Sequence, residues 1–471
     1  MQTIPSTSPI QSSATSAFHW PSAAQMILSL LTSAMLLLAA LVCLVVGLAQ
    51  LFQPATPNSL TTQSFLLAAG LGMCGALLLP SAWYATRRLF GLGKSPKTGL
   101  LSKVSLVNGR SWATVTIVCF ILLALALLLG SFVSRNDRLG WLLAPLHMLA
   151  IGIPVLWLVL LGLRGLPHHS FQRSWGLFAS GLVIGPSLIL VIELSVFVVA
   201  IILWAVWVTS QPTLAAEITE LAERLQYAPP NEETILRILG PYLMRPGTWL
   251  AALLMVAGIV PLIEEIFKPI GLWFLAKRGL TPAEGFAGGV LSGAGFALFE
   301  NLGNASMGGE GWSALVTVRI ATALLHMLTT GLTGWALVSA WNERRYLRLG
   351  LTYGLAITLH GLWNGMAILS VGTMQLPEPL VLPDAFHTLG SVAIVGLVFM
   401  VLANGAAYIA FNRYLRRGLP APQPASTIEP AALDEAAALS EPVAEAAKAP
   451  IQSELPTLLA DNDTNQSEDS R

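Results

Sequence analysis

Charge is what this chain has least of. Only 11% of its 471 residues are Asp, Glu, Lys or Arg, while 54% are hydrophobic. Apolar runs of 18 or more residues recur many times, which excludes an ordinary soluble domain and makes the chain a membrane protein. Cysteine is also scarce. Cys43, Cys74 and Cys119 all fall inside apolar runs, with neither a metal-binding spacing nor an exposed pair, so they read as small buried residues. No Lys or Arg occurs in the first 23 residues. A cleaved signal peptide needs a basic start and a short apolar core. The long first run is therefore expected to be a retained anchor.

Familiar catalytic signatures are absent as well. There is no G-x-S-x-G elbow, no H-E-x-x-H helix, no P-loop and no dinucleotide glycine pattern. No apolar run carries Asp, which argues against an aspartyl intramembrane protease. Nothing points to nucleic acid; the expected partners are the lipid bilayer and a membrane protein substrate.

The apolar runs predict an all-α polytopic membrane protein with about ten transmembrane helices, because lipid-exposed backbone must bond within its own segment. The spans are expected near 24–52, 64–85, 111–133, 140–163, 176–208, 248–276, 283–303, 313–340, 348–371 and 387–412. Around them, residues 1–23 read as a disordered N-terminus. Residues 24–208 read as a five-span N-terminal bundle and 209–247 as an outer connector. A catalytic membrane domain at 248–417 and a disordered acidic tail at 418–471 complete the division. The tail is rich in Ala, Pro, Ser and acid, with Lys448 and Arg471 its only basic residues.

Net charge is zero but unevenly placed. Arg87, Arg88, Lys94, Lys97, Lys103, Arg110, Arg164, Arg173, Lys277, Arg278, Arg344, Arg345, Arg348, Arg413, Arg416 and Arg417 flank one side of the spans. Arg135, Arg138, Arg224, Arg237 and Arg245 flank the other. The positive-inside rule makes the first side cytoplasmic, with both termini there, in a cell membrane. On the outer side, Leu214, Ile218, Leu221 and Leu225 recur at helical spacing opposite Glu217, Glu220, Glu223 and Arg224. This predicts an amphipathic surface helix, with a second helix starting near Asn231. The length of this connection makes the outside the expected side of substrate entry.

What is present stands out against that apolar background. Glu264 and Glu265 lie in VAGIVPLIEEIFKPIG, Glu300 in GVLSGAGFALFEN, His326 in ATALLHMLTTG, and His360 with Asn364 in GLAITLHGLWNG. Ionisable groups inside a bilayer are expensive and mark function. Glu264 and Lys268 are four apart and share a helix face, as do His360 and Asn364. At about 1.5 Å per residue, Glu264 lies about 20 Å from the inner edge of its span. His326 and His360 come out near mid-span, so the polar groups share a depth. Lys268 reads as a counter-ion for one glutamate, and Arg319 as a partner for Glu300, Glu265 or Glu193. Glu193 itself sits in no motif. His19, His147, His168, His169 and His387 lie at span ends or outside the spans. Three glutamates, two histidines and an asparagine suit water activation without a covalent nucleophile: a carboxylate base, imidazoles to orient water or bind metal, and an amide for an oxyanion. Intramembrane carboxylates with His equally suit a proton-coupled transporter, which is the alternative.

Four ordered motifs carry a resemblance. EEIFK (Glu264, Glu265, Lys268), FALFEN (Phe296, Glu300, Asn301), RIATALLH (Arg319, His326) and HGLWN (His360, Asn364) together resemble the PrsW family of intramembrane proteases, related to the CAAX prenyl endopeptidases and the bacteriocin-immunity-type membrane proteins. The resemblance covers about residues 245–415. It implies an endopeptidase that cuts membrane-anchored or juxtamembrane proteins, such as an anti-sigma factor. Glu264 or Glu265 would be the general base. Glu300 and His326 would hold the water or a metal, and His360 with Asn364 would complete the metal site or the oxyanion hole. The implied cofactor is Zn2+ on His326, His360 and Glu300, with a metal-free glutamate mechanism as the other option. Lys268, Phe296, Asn301 and Arg319 would support these groups.

Overall fold

Backbone amides and carbonyls find no water in lipid, and helices satisfy them locally. The computed structural model of the chain is helical accordingly, with no strand among the described residues. The structure describes residues 19–53, 58–92, 109–136, 139–167, 170–229, 231–276, 278–303, 311–370, 373 and 384–419. Lys94, Lys97, Lys103, Arg138, Lys277, His168, His169, residues 1–18 and the tail from 420 onward lie outside them.

Among the described residues, twelve helices follow one another in chain order. They are α1 (Trp20–Leu51), α2 (Asn58–Leu89), α3 (Gly109–Ser134), α4 (Leu143–Gly162), α5 (Phe171–Thr209), α6 (Pro212–Gln226), α7 (Glu232–Leu243), α8 (Pro246–Trp273), α9 (Pro282–Gly303), α10 (Trp312–Glu343), α11 (Tyr346–Ser370) and α12 (Asp384–Arg417). Among the described residues, eight segments are long and apolar enough to cross a membrane: α1, α2, α3, α4, α5, α8, α10 and α12. The two remaining expected spans correspond to α9 and α11. They have 22 and 25 residues but fall below that apolarity. Both carry site residues, and α9 is rich in glycine and alanine. The chain is a multi-pass, all-α membrane protein.

Local sequence sets several boundaries. Ser170 caps α5, its side chain accepting from the Arg173 amide. Asn231 caps α7 in the same way at 2.8 Å from the Thr234 amide, at the position expected for the second connector helix. Arg344 adopts a left-handed conformation after α10 (φ 56°), so α11 can start two residues later. That tight reversal makes α10 and α11 an antiparallel hairpin. His326 and His360 stand at similar distances from its apex and therefore at a common depth.

At the centre lies α9, where residues 285–298 are buried without a break. Its glycines let two neighbours approach. A Cβ at Gly285, Gly289 or Gly293 would press on the carbonyls of Gly334, Thr330 or His326 in α10. On the opposite face, Gly295 meets the Phe178 carbonyl, and Gly181 of α5 meets that of Ser292. Small residues allow this close packing where lipid supplies no hydrophobic drive between helices.

Two spans contain a widened π turn, Ser180–Ile184 in α5 and Leu254–Ile259 in α8. The second has an identifiable cause. Pro261 has no N–H to offer, so neither an i→i−4 bond to the Ala257 carbonyl nor an i→i−5 bond to that of Val256 can form. Asn364 of α11 fills the gap, its amide donating to the Val256 carbonyl at 2.9 Å. The backbone at Gly361 lies so close to the Ala257 carbonyl that a Cβ there would overlap it.

Candidate active site

The site is assembled around Lys268. Helix α8 breaks after Phe267, with Pro269 unable to continue its ladder, and Ser292 of α9 donates to the freed Lys268 carbonyl at 2.5 Å. The Lys268 side chain is fully buried and turns back along its own helix. Its Nζ lies 2.8 Å from Glu264 Oε2 and 2.8 Å from Glu265 Oε1. Sequence spacing suggests one glutamate as its partner. Both serve, because residues three and four back along a helix flank the same face.

Two imidazoles complete the enclosure. Lys268 Nζ is 2.9 Å from His326 Nδ1 and 3.3 Å from His360 Nδ1. His326 Nε2 is 2.7 Å from Glu300 Oε2, and His360 Nδ1 is 3.0 Å from Glu265 Oε1. A carboxylate oxygen only accepts, so the ring nitrogen facing it carries the proton. His326 therefore donates from Nε2 to Glu300 and keeps a lone pair on Nδ1, which accepts from Lys268. His360 donates from Nδ1 to Glu265 and keeps a lone pair on Nε2, 3.8 Å from Glu264 Oε2. That Glu264 oxygen also faces the ammonium. It pairs ionically with Lys268 but receives no hydrogen bond.

A second layer holds the first. Glu300 Oε1 pairs with Arg319 Nη2 at 2.8 Å. Arg319 Nε donates to Asn301 Oδ1 at 2.8 Å, and Asn301 Nδ2 returns a bond to the Arg319 carbonyl at 3.3 Å. Of the three acids offered to Arg319 by the sequence, the structure selects Glu300. Phe296 packs edge-on to His326, ring centroids 5.0 Å apart, with Lys268 Nζ 4.6 Å from its ring centre. It both shields the ammonium from solvent and attracts it.

Asn364 points elsewhere. Its amide serves the Val256 carbonyl in the π turn, one helical turn from His360, rather than the acid–imidazole cluster. Glu193 of α5 lies beside the apolar group Ile189, Ile263 and Phe296, and its Oε1 is buried without a hydrogen bond. Sequence reasoning leaves Glu193 without a role and does not notice Ser292. No motif marks Ser292. Glu193 has only its charge in an apolar run.

One ligand atom from each of Glu264, His326 and His360 lies within 4.8 Å of the other two. Glu300, expected among the metal ligands by resemblance, is outside this group and orients His326 from behind. Two imidazoles and a carboxylate form a donor set known from catalytic zinc sites. Each imidazole donates its other N–H to a carboxylate, as metal-bound histidines usually do. The ammonium now occupies the space those lone pairs enclose. The donor chemistry fits a divalent cation.

Residues 197–403 match the family model described as PrsW family intramembrane metalloprotease. Over this stretch the chain is similar to that family. No curated protein and no solved structure matches the chain. The matched stretch begins within α5 and ends within α12, so it contains every residue of the acid–imidazole cluster. Glu193 and α1 to α4 lie before it. The match supports hydrolysis over transport.

Proposed function

We propose that the chain is an intramembrane endopeptidase that hydrolyses membrane-anchored or juxtamembrane proteins, an anti-sigma-factor-type protein among the candidates, with water activated at Glu264. One observation carries this reading. The back-side bonds of His326 and His360 to Glu300 and Glu265 turn the second nitrogen of each ring towards Glu264 or its counter-ion: His326 Nδ1 meets the Lys268 ammonium that pairs with Glu264, and His360 Nε2 lies 3.8 Å from Glu264 Oε2.

Roles follow from the bonds. Glu264, 12% exposed at its side chain where Glu265 is sealed and Glu300 is held by Arg319 and His326, takes the proton of the attacking water. Glu265 has no exposure and is spent on Lys268 and His360, so it is a positioning residue. Glu300, held by Arg319, fixes the tautomer of His326. Lys268 balances the buried carboxylates. A Zn2+ ion would be held by Glu264, His326 and His360; when bound it supplies a Lewis acid that generates hydroxide near neutral pH. Water deprotonation by Glu264 alone is the metal-free form of the same site.

Purified full-length protein, reconstituted in lipid and given a panel of single-span substrate proteins, tests the reading. Cleavage by the wild type and its loss in Glu264→Gln are expected. Equal cleavage by both proteins would overturn the assignment. Metal content decides the cofactor: about one zinc per chain, lost in His326→Ala and His360→Ala, supports the zinc form. Cleavage that survives exhaustive chelation supports the metal-free form.

A further inference from the structure

A cavity of about 630 Å³ opens away from the acid–imidazole cluster where the ends of α1, α2, α5 and α8 converge. Its lining changes along its length. At the mouth stand His19, Arg88, Arg173 and Arg278, and among the described residues no Asp or Glu lines it. Farther in, Leu28, Leu78, Val183 and Ile184 form an apolar body. Between the two lies a closed amide network. Gln172 Nε2 donates to Ser22 and Gln25, and Gln25 donates to Ser81 and back to the Gln172 carbonyl.

These features restrict the occupant. From His19 to Thr32 the lining runs thirteen residues down α1, about 20 Å into the membrane. A soluble phosphate ester would fill only the mouth. A neutral hydrocarbon would leave the guanidinium groups uncompensated. Arg88 makes one hydrogen bond, to Gln172 at 3.3 Å. The Arg173 and Arg278 side chains make none among the described residues and form no ion pair there. Burial, with Arg88 and Arg278 adding to it, pulls the His19 imidazole below its usual range, as expected where positive groups converge without an acid. The mouth lies on the face that the positive-inside rule assigns to the cytoplasm, where anionic headgroups face basic pockets between helices.

We infer that this cavity is a binding site for an anionic phospholipid, its phosphate held by Arg88, Arg173 and Arg278 and one acyl chain lying along α1 and α5. The site does not depend on the proteolytic reading, and its test does not use cleavage. It touches the catalytic helix nonetheless. Gly271, three residues after Lys268, is so close to the Ser180 hydroxyl of the cavity wall that a Cβ there would overlap it. The acyl chain therefore lies against the wall that braces the Lys268 break.

Photoreactive phosphatidylglycerol, added to the full-length protein in phosphatidylcholine nanodiscs, is the probe. The expected cross-links map to residues 19–32 and 171–184. Excess phosphatidylglycerol should displace the label, while phosphatidylcholine of the same chains and glycerol phosphate should not. Arg173→Gln/Arg278→Gln should weaken labelling roughly tenfold or more, as expected for two lost headgroup cations, and Thr32→Trp should weaken it by filling the apolar body. Cross-links spread evenly over the lipid-facing helices would overturn the site, and this result needs only the wild type. Displacement by glycerol phosphate would assign the mouth to a soluble phosphate ester and reject the lipid. Undiminished labelling of a folded Arg173→Gln/Arg278→Gln protein would also reject it.

Discussion

At the level of single residues, the two adjacent glutamates are chemically alike and differently placed. Glu264 is partly accessible, whereas Glu265 is sealed against Lys268 and His360. Removal of a general base typically costs about 10²–10⁴-fold in rate. Glu264→Gln should therefore abolish turnover while substrate binding and folding persist. Glu265→Gln should also lose activity, but with a visible fall in thermal stability, because it leaves the buried ammonium short of a counter-charge. Melting curves of the two variants in nanodiscs separate the roles; a larger destabilisation in Glu264→Gln would reverse the assignment. Glu300→Ala should weaken metal affinity or turnover about 10–100-fold through the freed His326 ring, with Glu300→Gln retaining more of either. Most of the cluster was legible in the chain, since charges in apolar runs admit few explanations. The i, i+4 spacing of Glu264 and Lys268 was legible too. That Lys268 joins both glutamates and both histidines was not, because it depends on the helix break before Pro269. Nor was Asn364's service to Val256, which depends on a π turn in another helix.

At the level of helices, the site rests on how closely α9 can lie against α10. Gly285, Gly289 and Gly293 recur every four residues, one stripe of the helix, and each faces a carbonyl or backbone atom of α10. A methyl at Gly289 has no room beside the Thr330 carbonyl, so Gly289→Ala should push α9 outward and cost about 1–3 kcal/mol. Gly350 of α11 has nothing within 4 Å, and Gly350→Ala should be neutral or stabilising by up to about 1 kcal/mol from helix propensity. Equal melting temperatures for the two variants would show that the stripe does not set the packing. Glycine spacing in GFAGGVLSGAGF is the sequence signal of this close helix contact. The π turns were less accessible. Pro261 announces a missing N–H but not whether the ladder kinks, breaks or widens. Helices α9 and α11 illustrate the converse: their glycine, histidine and asparagine content lowers the apolarity that identifies a span and raises their value as walls of a polar site.

At the level of the whole molecule, positions of basic residues and the long connector yielded a topology, and the connector's helices are observed at 212–226 and 232–243. What charge patterning does not give is how that connector is tied down. Glu217 of α6 bonds Arg245, which lies immediately before α8. No residue of α6 is buried, so this ion pair, with the apolar stripe of the helix, fixes α6 near the start of the span that carries Glu264. The Arg245 guanidinium holds the Glu217 carboxyl below the usual carboxylate range. For an acid depressed on folding, the stabilising contribution is present above the unfolded value, near 4.3, and is lost as pH falls through the folded value. The tie should therefore persist at neutral pH and weaken only in acid. If the connector covers an outward-facing site, Glu217→Gln should act at pH 7 as acid acts on the wild type: limited proteolysis within 212–244 should accelerate. A membrane-impermeant thiol reagent applied to intact cells should then label a cysteine at Leu262, beside the cluster, faster in the Glu217→Gln background. Unchanged digestion and unchanged labelling would show that the ion pair holds nothing down. Labelling of Leu262→Cys only in inverted vesicles would place the entrance on the opposite side and reject a lid formed by α6 and α7.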